Sequence, residues 1–367
     1  MDNNRFENQF ANASGNRQGF TWIELVIVIV IIGVLIGMLL PAVGRTRNVS
    51  RRAICMNQAR QVALAMHVFE SAHKEFPSAM GDQRLVNAAG HGNANRLSGM
   101  MLLLPYLEEN QLWESISKPS TFEGIDYPAM GTAPWDSRFV PWREQISIFK
   151  CPSAPNVETE FGRTSYAFCI GDVARDIHQP TNLRGAFGCG LNSTFGDFTD
   201  GTSNTILIAE MGLGGNRSVI GNFAVRQPTK MLDDPSQCFS LIDSADEALF
   251  DKQISLGSLG RGGCWADGAA GCSLVNTILP PNSPSVSISK DQFGDGIYSA
   301  GGYHVGGIVI ALADGSGHFV SENIDAGRPI GTLLTAEQMS AGEPSPFGVW
   351  GALGTLGGDE EYSANDL

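Results

Sequence analysis

The longest apolar stretch of the chain lies near its start. Residues 25–40 are an unbroken run of apolar residues and glycines. With residues 20–23 the stretch reaches about 20 residues, enough to span a bilayer as a helix. Glu24 is the one charge inside it, and a carboxylate near the start of such a helix is costly enough to signal a function. Pro41 lacks an N–H and predicts a kink or a locally melted turn. From residue 42 to residue 73 there is no proline, and Gly44 is the only glycine. Cys55, Ala59, Val62, Met66 and Phe69 recur at alternating steps of four and three, which makes one apolar stripe of an amphipathic helix. Arg45, Arg52, Gln58 and Glu70 fall on the opposite face. Together the two stretches predict one long helix over residues 20–74, its first half suited to lipid and its second half packed under a globular domain.

Beyond the helix the pattern changes. Phe76-Pro77 ends it, and residues 81–95, rich in Gly, Asn and Ala, predict a loop. Residues 97–117 predict a short helix broken near Pro105. From about residue 146 short β-prone runs alternate with turn residues, as in residues 205–209 and 308–313. Asp314-Gly315 then joins the latter run to residues 317–320 as a hairpin. The 44 glycines and 18 prolines agree with many turns. The expected fold is α+β: a long N-terminal hydrophobic helix packed on an antiparallel β-rich globular domain, residues 75–367, with extended loops.

The residues before the apolar run give it a more specific meaning. Gly19 precedes Phe20-Thr21-Trp22-Ile23-Glu24, which resembles the type IV prepilin signal. The resemblance implies a leader, residues 1–19, removed by a prepilin peptidase between Gly19 and Phe20, with N-methylation of Phe20. It makes Glu24 the fifth mature residue, and it sets Gly33 and Pro41 where pilin-like helices carry a helix-weakening glycine and a proline. Glu24 and Pro41 are then assembly residues. The new Phe20 amine is cationic and Glu24 lies one turn away, so the carboxylate offsets the amine of its own chain or of a neighbouring subunit. Either charge alone in lipid costs several kcal/mol or more. A plain anchor, a secretory signal peptide cut after Ala42-Val43-Gly44, or a buried core helix does not explain Gly-Phe-Thr-x-x-Glu. Arg45, Arg47, Arg51, Arg52 and Arg60 follow the run. By the positive-inside rule alone they would place that end in the cytoplasm, opposite to the orientation that a pilin-like protein needs, but the resemblance to the prepilin signal is the more specific of the two and outweighs the charge rule.

Over nearly its whole length the chain also resembles the pilin-like family with an H-x9-DG C-terminal motif, domain of unknown function 1559. The matching pieces are Leu103-Leu104-Pro105-Tyr106-Leu107-Glu108, Cys151-Pro152-Ser153, and Asp200-Gly201-Thr202-Ser203-Asn204-Thr205 with Glu210. Trp265-Ala266-Asp267-Gly268, Pro280-Pro281-Asn282-Ser283-Pro284, His304 with Asp314-Gly315, and Gly348-Val349-Trp350-Gly351 follow in order. Val286 stands where the family often has a cysteine. The resemblance implies a type IV pilin-like architecture and no particular chemistry.

Charge and cysteines narrow the picture. The net charge is −14, and the acidic excess lies after the arginine cluster, so nucleic acid is not an expected partner. None of the seven cysteines forms a C-x-x-C pair, so disulfides in an oxidising compartment are expected rather than a zinc site. At least one disulfide is expected among Cys151, Cys169, Cys189, Cys264 and Cys272; Cys264 and Cys272, with Gly268 and Gly271 between them, are the candidate pair closest in sequence, and Cys55 reads as a small buried hydrophobe. His304 with Asp314 offers a base or metal ligand, although a loop cap at His304 and a tight turn at Asp314-Gly315 explain the same residues. Asp291, Gly294 and Asp295, or Asp197, Asp200, Thr202 and Asn204, offer oxygens for calcium, without EF-hand spacing; no other cofactor is expected. Nucleophile-elbow, zincin and phosphate-loop motifs are missing, so the chain is not expected to be an enzyme. The expectation is a structural or assembly protein, single-pass in the cytoplasmic membrane with its domain outside. Its partners are prepilin peptidase, the inner membrane and other pilin-like subunits. The alternative is an anchored module that binds carbohydrate or another ligand.

Overall fold

A computed structural model describes residues 19–86, 92–157, 159–214, 216–327 and 342–358, without the side chains of residues 38–46. The expected leader, but for Gly19, lies outside the described residues, and so do the side chains of Pro41 and Arg45. The chain divides into two compact units, Met1–Val49 and Ser50–Leu367.

Helix α1, Trp22–His73, runs through that division and continues through Pro41. Its start is fixed by local chemistry. Thr21 is the residue before the helix, and its N–H and hydroxyl both donate to Glu24 Oε2, at 2.8 and 2.7 Å. The Glu24 N–H donates back to Thr21 Oγ1 at 3.4 Å. This reciprocal pair is a capping box, which satisfies amide donors that the first helical turn leaves open. From Phe20 to Ile36 the large apolar side chains are exposed, Phe20 at 75% and Trp22 at 79%. Among the described residues no helix is long and apolar enough to cross a membrane.

The second unit takes in the rest of α1 as well as the chain that follows it. The reason is the apolar stripe: Cys55, Ala59, Val62, Met66 and Phe69 are all buried. The other main helix, α2 (Asn110–Ser117), follows a 3-10 segment, Gly99–Leu107, that contains Pro105.

Twelve strands are described: β1 (Ser120–Phe122), β2 (Ile125–Tyr127), β3 (Tyr166–Cys169), β4 (Ile206–Glu210), β5 (Phe223–Ala224), β6 (Ile242–Asp243), β7 (Asp246–Phe250), β8 (Leu274–Val275), β9 (Ser285–Ser287), β10 (Gly296–Ile297), β11 (Gly307–Leu312) and β12 (Gly317–Ser321). The largest sheet has the order β12-β11-β4-β3-β8. It is antiparallel except where β3 meets β8. A smaller sheet, β10-β9-β5, is mixed, and β1-β2 and β6-β7 are hairpins. The architecture is therefore α+β with an N-terminal helix.

The five-stranded sheet is covered on both faces, and strand alternation shows how. Tyr166, Phe168, Val309 and Ala311 join the core that contains the α1 stripe. Ala167, Cys169, Ile308, Ile310 and Leu312 join a second core with Trp350 and Leu353 from around the short helix Gly348–Ala352. Each buried Val, Leu, Ile or Phe side chain among these contributes about 1.5–3 kcal/mol. Two apolar faces explain why β11 reads as a continuous apolar run rather than an alternation.

Candidate functional site

The two ends of the H-x9-DG motif do different work. Asp314-Gly315 forms the β11–β12 turn. Asp314 Oδ1 accepts from the Ser316 N–H at 2.8 Å, and Gly315 has φ +83°, a conformation that favours glycine. The His67 ring on α1 donates to the Ala313 carbonyl at 2.8 Å, which fastens the turn to the helix. His304 lies before the other end of β11. Six residues of strand, about 20 Å at 3.4 Å per residue, separate the two, so Asp314 is no partner for His304.

The partners of His304 come from elsewhere. Its Nε2 is 3.3 Å from Glu210 Oε1 and 3.4 Å from Cys151 Sγ. Its Nδ1 is 3.5 Å from Ser153 Oγ. Cys151 is disulfide-bonded to Cys55 of α1, with Cα atoms 5.4 Å apart, inside the range that such a bridge requires. Cys55, Cys151, Glu210 and His304 are all buried, and one potential ligand atom from each lies within 4.8 Å of the others. Among the described residues this is the one such group of histidine, cysteine and carboxylate side chains.

Sheet pairing builds the cluster. Glu210 ends β4, opposite Tyr166 of β3. Its backbone carbonyl accepts from the Gly301 N–H at 3.0 Å, and its Oε2 accepts from the Val309 N–H of β11 at 3.0 Å. A Cβ on Gly302 would sit 2.6 Å from that oxygen, so a larger residue in the loop before His304 would displace the Glu210 carboxylate. Cys151 follows the 3-10 turn Ser147–Phe149, and its N–H donates to Ser165 Oγ at 3.0 Å beside the start of β3. Cys55 completes the group from the apolar stripe of α1, where the Tyr166 hydroxyl donates to its carbonyl at 2.9 Å. Burial, and then the Glu210 carboxylate, hold the Tyr166 phenol well above its usual range, so it stays a donor.

Several expectations change here. The His304 ring meets side chains from three other segments instead of capping the loop before it, because the chain turns at Gly306 (φ +83°) into β11 beside Glu210. Cys55 is half of a disulfide and not merely a buried hydrophobe. Cys264 and Cys272 are unpaired. Cys264 Sγ faces the Pro134 carbonyl at 3.4 Å, and Cys272, on the turn Ala270–Ser273, faces Asp267 at 3.8 Å. Burial pushes the thiols of Cys169, Cys189, Cys238 and Cys264 up to about 12, which makes them inert near neutral pH.

The carboxylates of the calcium candidates accept from amides and hydroxyls of their own loops and of distant segments. Asp291 Oδ1 accepts from the Phe293 N–H and the Ser289 hydroxyl. Asp295 Oδ1 accepts from the Ile177 N–H. Asp197 Oδ2 accepts from the Thr194 N–H and hydroxyl, and Asp200 Oδ2 from the Gly358 N–H. None of these carboxylates belongs to a convergent group of three among the described residues. A groove of about 450 Å³ lies between Asn182, Arg184, Asn192, Asp197 and Leu356. None of its described lining residues is aromatic.

At the N-terminus, Gly19 and Phe20 are exposed, next to the Thr21–Glu24 capping box. A Cβ on Gly19 would meet no atom within 4 Å, so the chain's own packing does not demand glycine there. The sequence signal for the box, Thr-x-x-Glu before an apolar run, is present in the same residues that resemble the prepilin signal, and it adds a helix start to that reading. The four-residue cluster had no such local signal.

Two family profiles match the chain. One, described as "Protein of unknown function (DUF1559)", covers residues 45–327. The other, "Prokaryotic N-terminal methylation motif", covers residues 14–40. No curated protein and no solved structure matches.

Proposed function

Since this chain belongs to the DUF1559 family and carries a prokaryotic N-terminal methylation motif, we propose that it is a type IV pilin-like structural or assembly protein, anchored in the cytoplasmic membrane through the first half of α1. Prepilin peptidase cuts between Gly19 and Phe20 and methylates the new terminus. The acidic domain lies outside the cytoplasm and carries no catalytic activity.

The observation that carries this reading is the site at Gly19. The glycine is exposed, is followed at once by a capped helix, and is not required by packing. That is the profile of a residue kept for a processing enzyme that reads a small side chain beside the scissile bond. The exposed apolar surface of residues 20–36 supports anchoring, because a contiguous surface of this kind needs lipid or neighbouring subunits to cover it. Glu24 then serves twice. It caps its own helix through Thr21, and it offsets a Phe20 amine on its own or a neighbouring chain.

Intact mass of the protein from cells with active prepilin peptidase tests the reading. The mature chain should begin at Phe20 and carry one extra methyl group. Gly19→Val should leave the leader uncut while the domain stays folded, since the added side chain meets open space. A wild-type chain that keeps its leader, or a Gly19→Val chain cut as fast as wild type, refutes the proposal.

A further inference from the structure

A histidine and a glutamate lie beside the sulfurs of the Cys55–Cys151 bridge. Here Nε2 of His304 faces both Cys151 Sγ, at 3.4 Å, and Glu210 Oε1, at 3.3 Å. Metal–ligand bonds of about 2.0–2.3 Å in a tetrahedron give edges of about 3.3–3.8 Å. Two edges of a Cys-Cys-His-Glu tetrahedron are therefore already at length. All four candidate ligand atoms lie within 4.8 Å of one another, and the sulfurs, which the disulfide holds together, have to part for the tetrahedron to form.

The surroundings fit the same geometry. With Nε2 facing inward, Nδ1 is left to donate its proton to Ser153 Oγ, at 3.5 Å. The second oxygen of Glu210 accepts from the Val309 N–H at 3.0 Å. Cys151 Sγ accepts from the Ser153 N–H at 3.4 Å. Each of these three candidate ligands thus has a partner that orients its donor atom, as supporting shells do around metals. The site is buried, yet close to the surface: His304 is 8% exposed and Val305 beside it 85%.

We propose that, once the Cys55–Cys151 bond is reduced, Cys55, Cys151, His304 and Glu210 bind one zinc-like divalent cation, so that a metal replaces the disulfide as the link between α1 and the sheet. The steps balance. A dithiol reductant gives up two electrons and two protons and closes its own disulfide, while the Cys55–Cys151 bond breaks and each sulfur takes one proton. The cation then displaces both thiol protons, and two metal–thiolate bonds form. Two thiolates, an imidazole and a carboxylate favour a borderline ion such as zinc over calcium or magnesium. The other five thiols stand outside any such group among the described residues.

The test uses the full chain in detergent, oxidised or reduced with a phosphine, which becomes its oxide as water supplies the oxygen and the two thiol protons. Cobalt(II) is the probe. The reduced protein should take up one equivalent, with thiolate-to-cobalt charge-transfer absorption and the strong visible band of tetrahedral cobalt. Zinc should then displace the cobalt. The oxidised protein should show neither band. Zinc should also shield Cys55 and Cys151 of the reduced wild-type chain from alkylation, read peptide by peptide, a measurement that needs no variant. His304→Ala or Glu210→Gln should weaken cobalt binding by more than about 100-fold, beyond the about 10–100-fold that loss of a supporting partner costs. The proposal is overturned if the reduced chain shows no thiolate–cobalt band, if zinc leaves Cys55 and Cys151 open to alkylation, or if the bands persist in Cys55→Ser/Cys151→Ser.

Discussion

The start of α1 and the cluster around His304 are both small constellations of polar groups, but they are encoded in opposite ways. The first occupies six consecutive residues, Gly19 to Glu24, and its hydrogen bonds span three positions. The second joins Cys55, Cys151, Glu210 and His304, whose disulfide alone spans 96 positions. A local constellation depends on helix geometry and survives outside the fold. A distant one exists only when α1, β3, β4 and β11 are packed together, so it reports on the whole domain. The difference separates a signal for a processing enzyme from a fastening of the folded domain.

The largest expected effect is on that fastening. Cys55→Ala and Cys151→Ala should each lower stability by about 2–4 kcal/mol in metal-free buffer, because the bridge restrains a long segment of the unfolded chain. The double variant should lose little more than either single one, since both remove one bond. Denaturant midpoints of the detergent-solubilised chain read this out. Additive losses would mean that the sulfurs act separately. Cleavage after Gly19 should be unchanged in all three variants; slower cleavage would show that the two regions are not independent.

The same contrast explains what the sequence made legible. The apolar run, the amphipathic stripe through Phe69, the hairpin at Asp314-Gly315 and the Gly-Phe-Thr-x-x-Glu signal are each set by relations between residues no more than about one helical turn or one strand pair apart. Periodicity and turn chemistry act over that range. The motif pieces Cys151-Pro152-Ser153, Glu210 and His304 are also visible, but as separate parts of a family pattern. Their meeting depends on β4 lying between β3 and β11, an order that no spacing in the chain reveals. Cys55 misled for a related reason. On an apolar stripe a cysteine looks like any small hydrophobe until the residue opposite it is known. The Cys264–Cys272 pairing failed because closeness in sequence does not aim two thiols at each other.

A second distant constellation, without a disulfide, sharpens the comparison through pH. The His178 ring stacks on Phe293, with centroids 3.9 Å apart, and its Nε2 accepts from the Ala270 N–H at 3.2 Å. Burial, then the positive charge of Arg96, lowers its pKa to about 3. The folded chain thus refuses a proton that the unfolded chain accepts below its ordinary value of about 6.5. The neutral ring's contribution is fully present above that value and is lost as pH falls from there toward about 3. By pH 4 the loss should be on the order of 3 kcal/mol. His178→Gln should flatten that part of the stability-versus-pH curve. An unchanged slope would show that other groups cause the acid sensitivity.

The smallest effect tests whether the local constellation is only a helix cap or also carries the charge that assembly requires. Thr21→Ala removes the hydroxyl that donates to Glu24 and accepts from its N–H, but leaves the carboxylate in place. Loss of such a cap costs about 1 kcal/mol, so first-turn amides should exchange about fivefold faster. Exchange around Cys55 should not change. Glu24→Ala should loosen the same amides to a similar degree, because the Thr21 N–H loses its acceptor. The two variants should part in assembly. With its charge retained, Thr21→Ala should appear in sheared fractions at close to the wild-type level, whereas Glu24→Ala should insert in the membrane and be largely absent from them. If both variants fail to assemble alike, the cap itself is what assembly needs, and the pairing of Glu24 with a Phe20 amine loses its support. If both assemble normally, Glu24 serves the helix start alone, and the register between subunits must come from other residues.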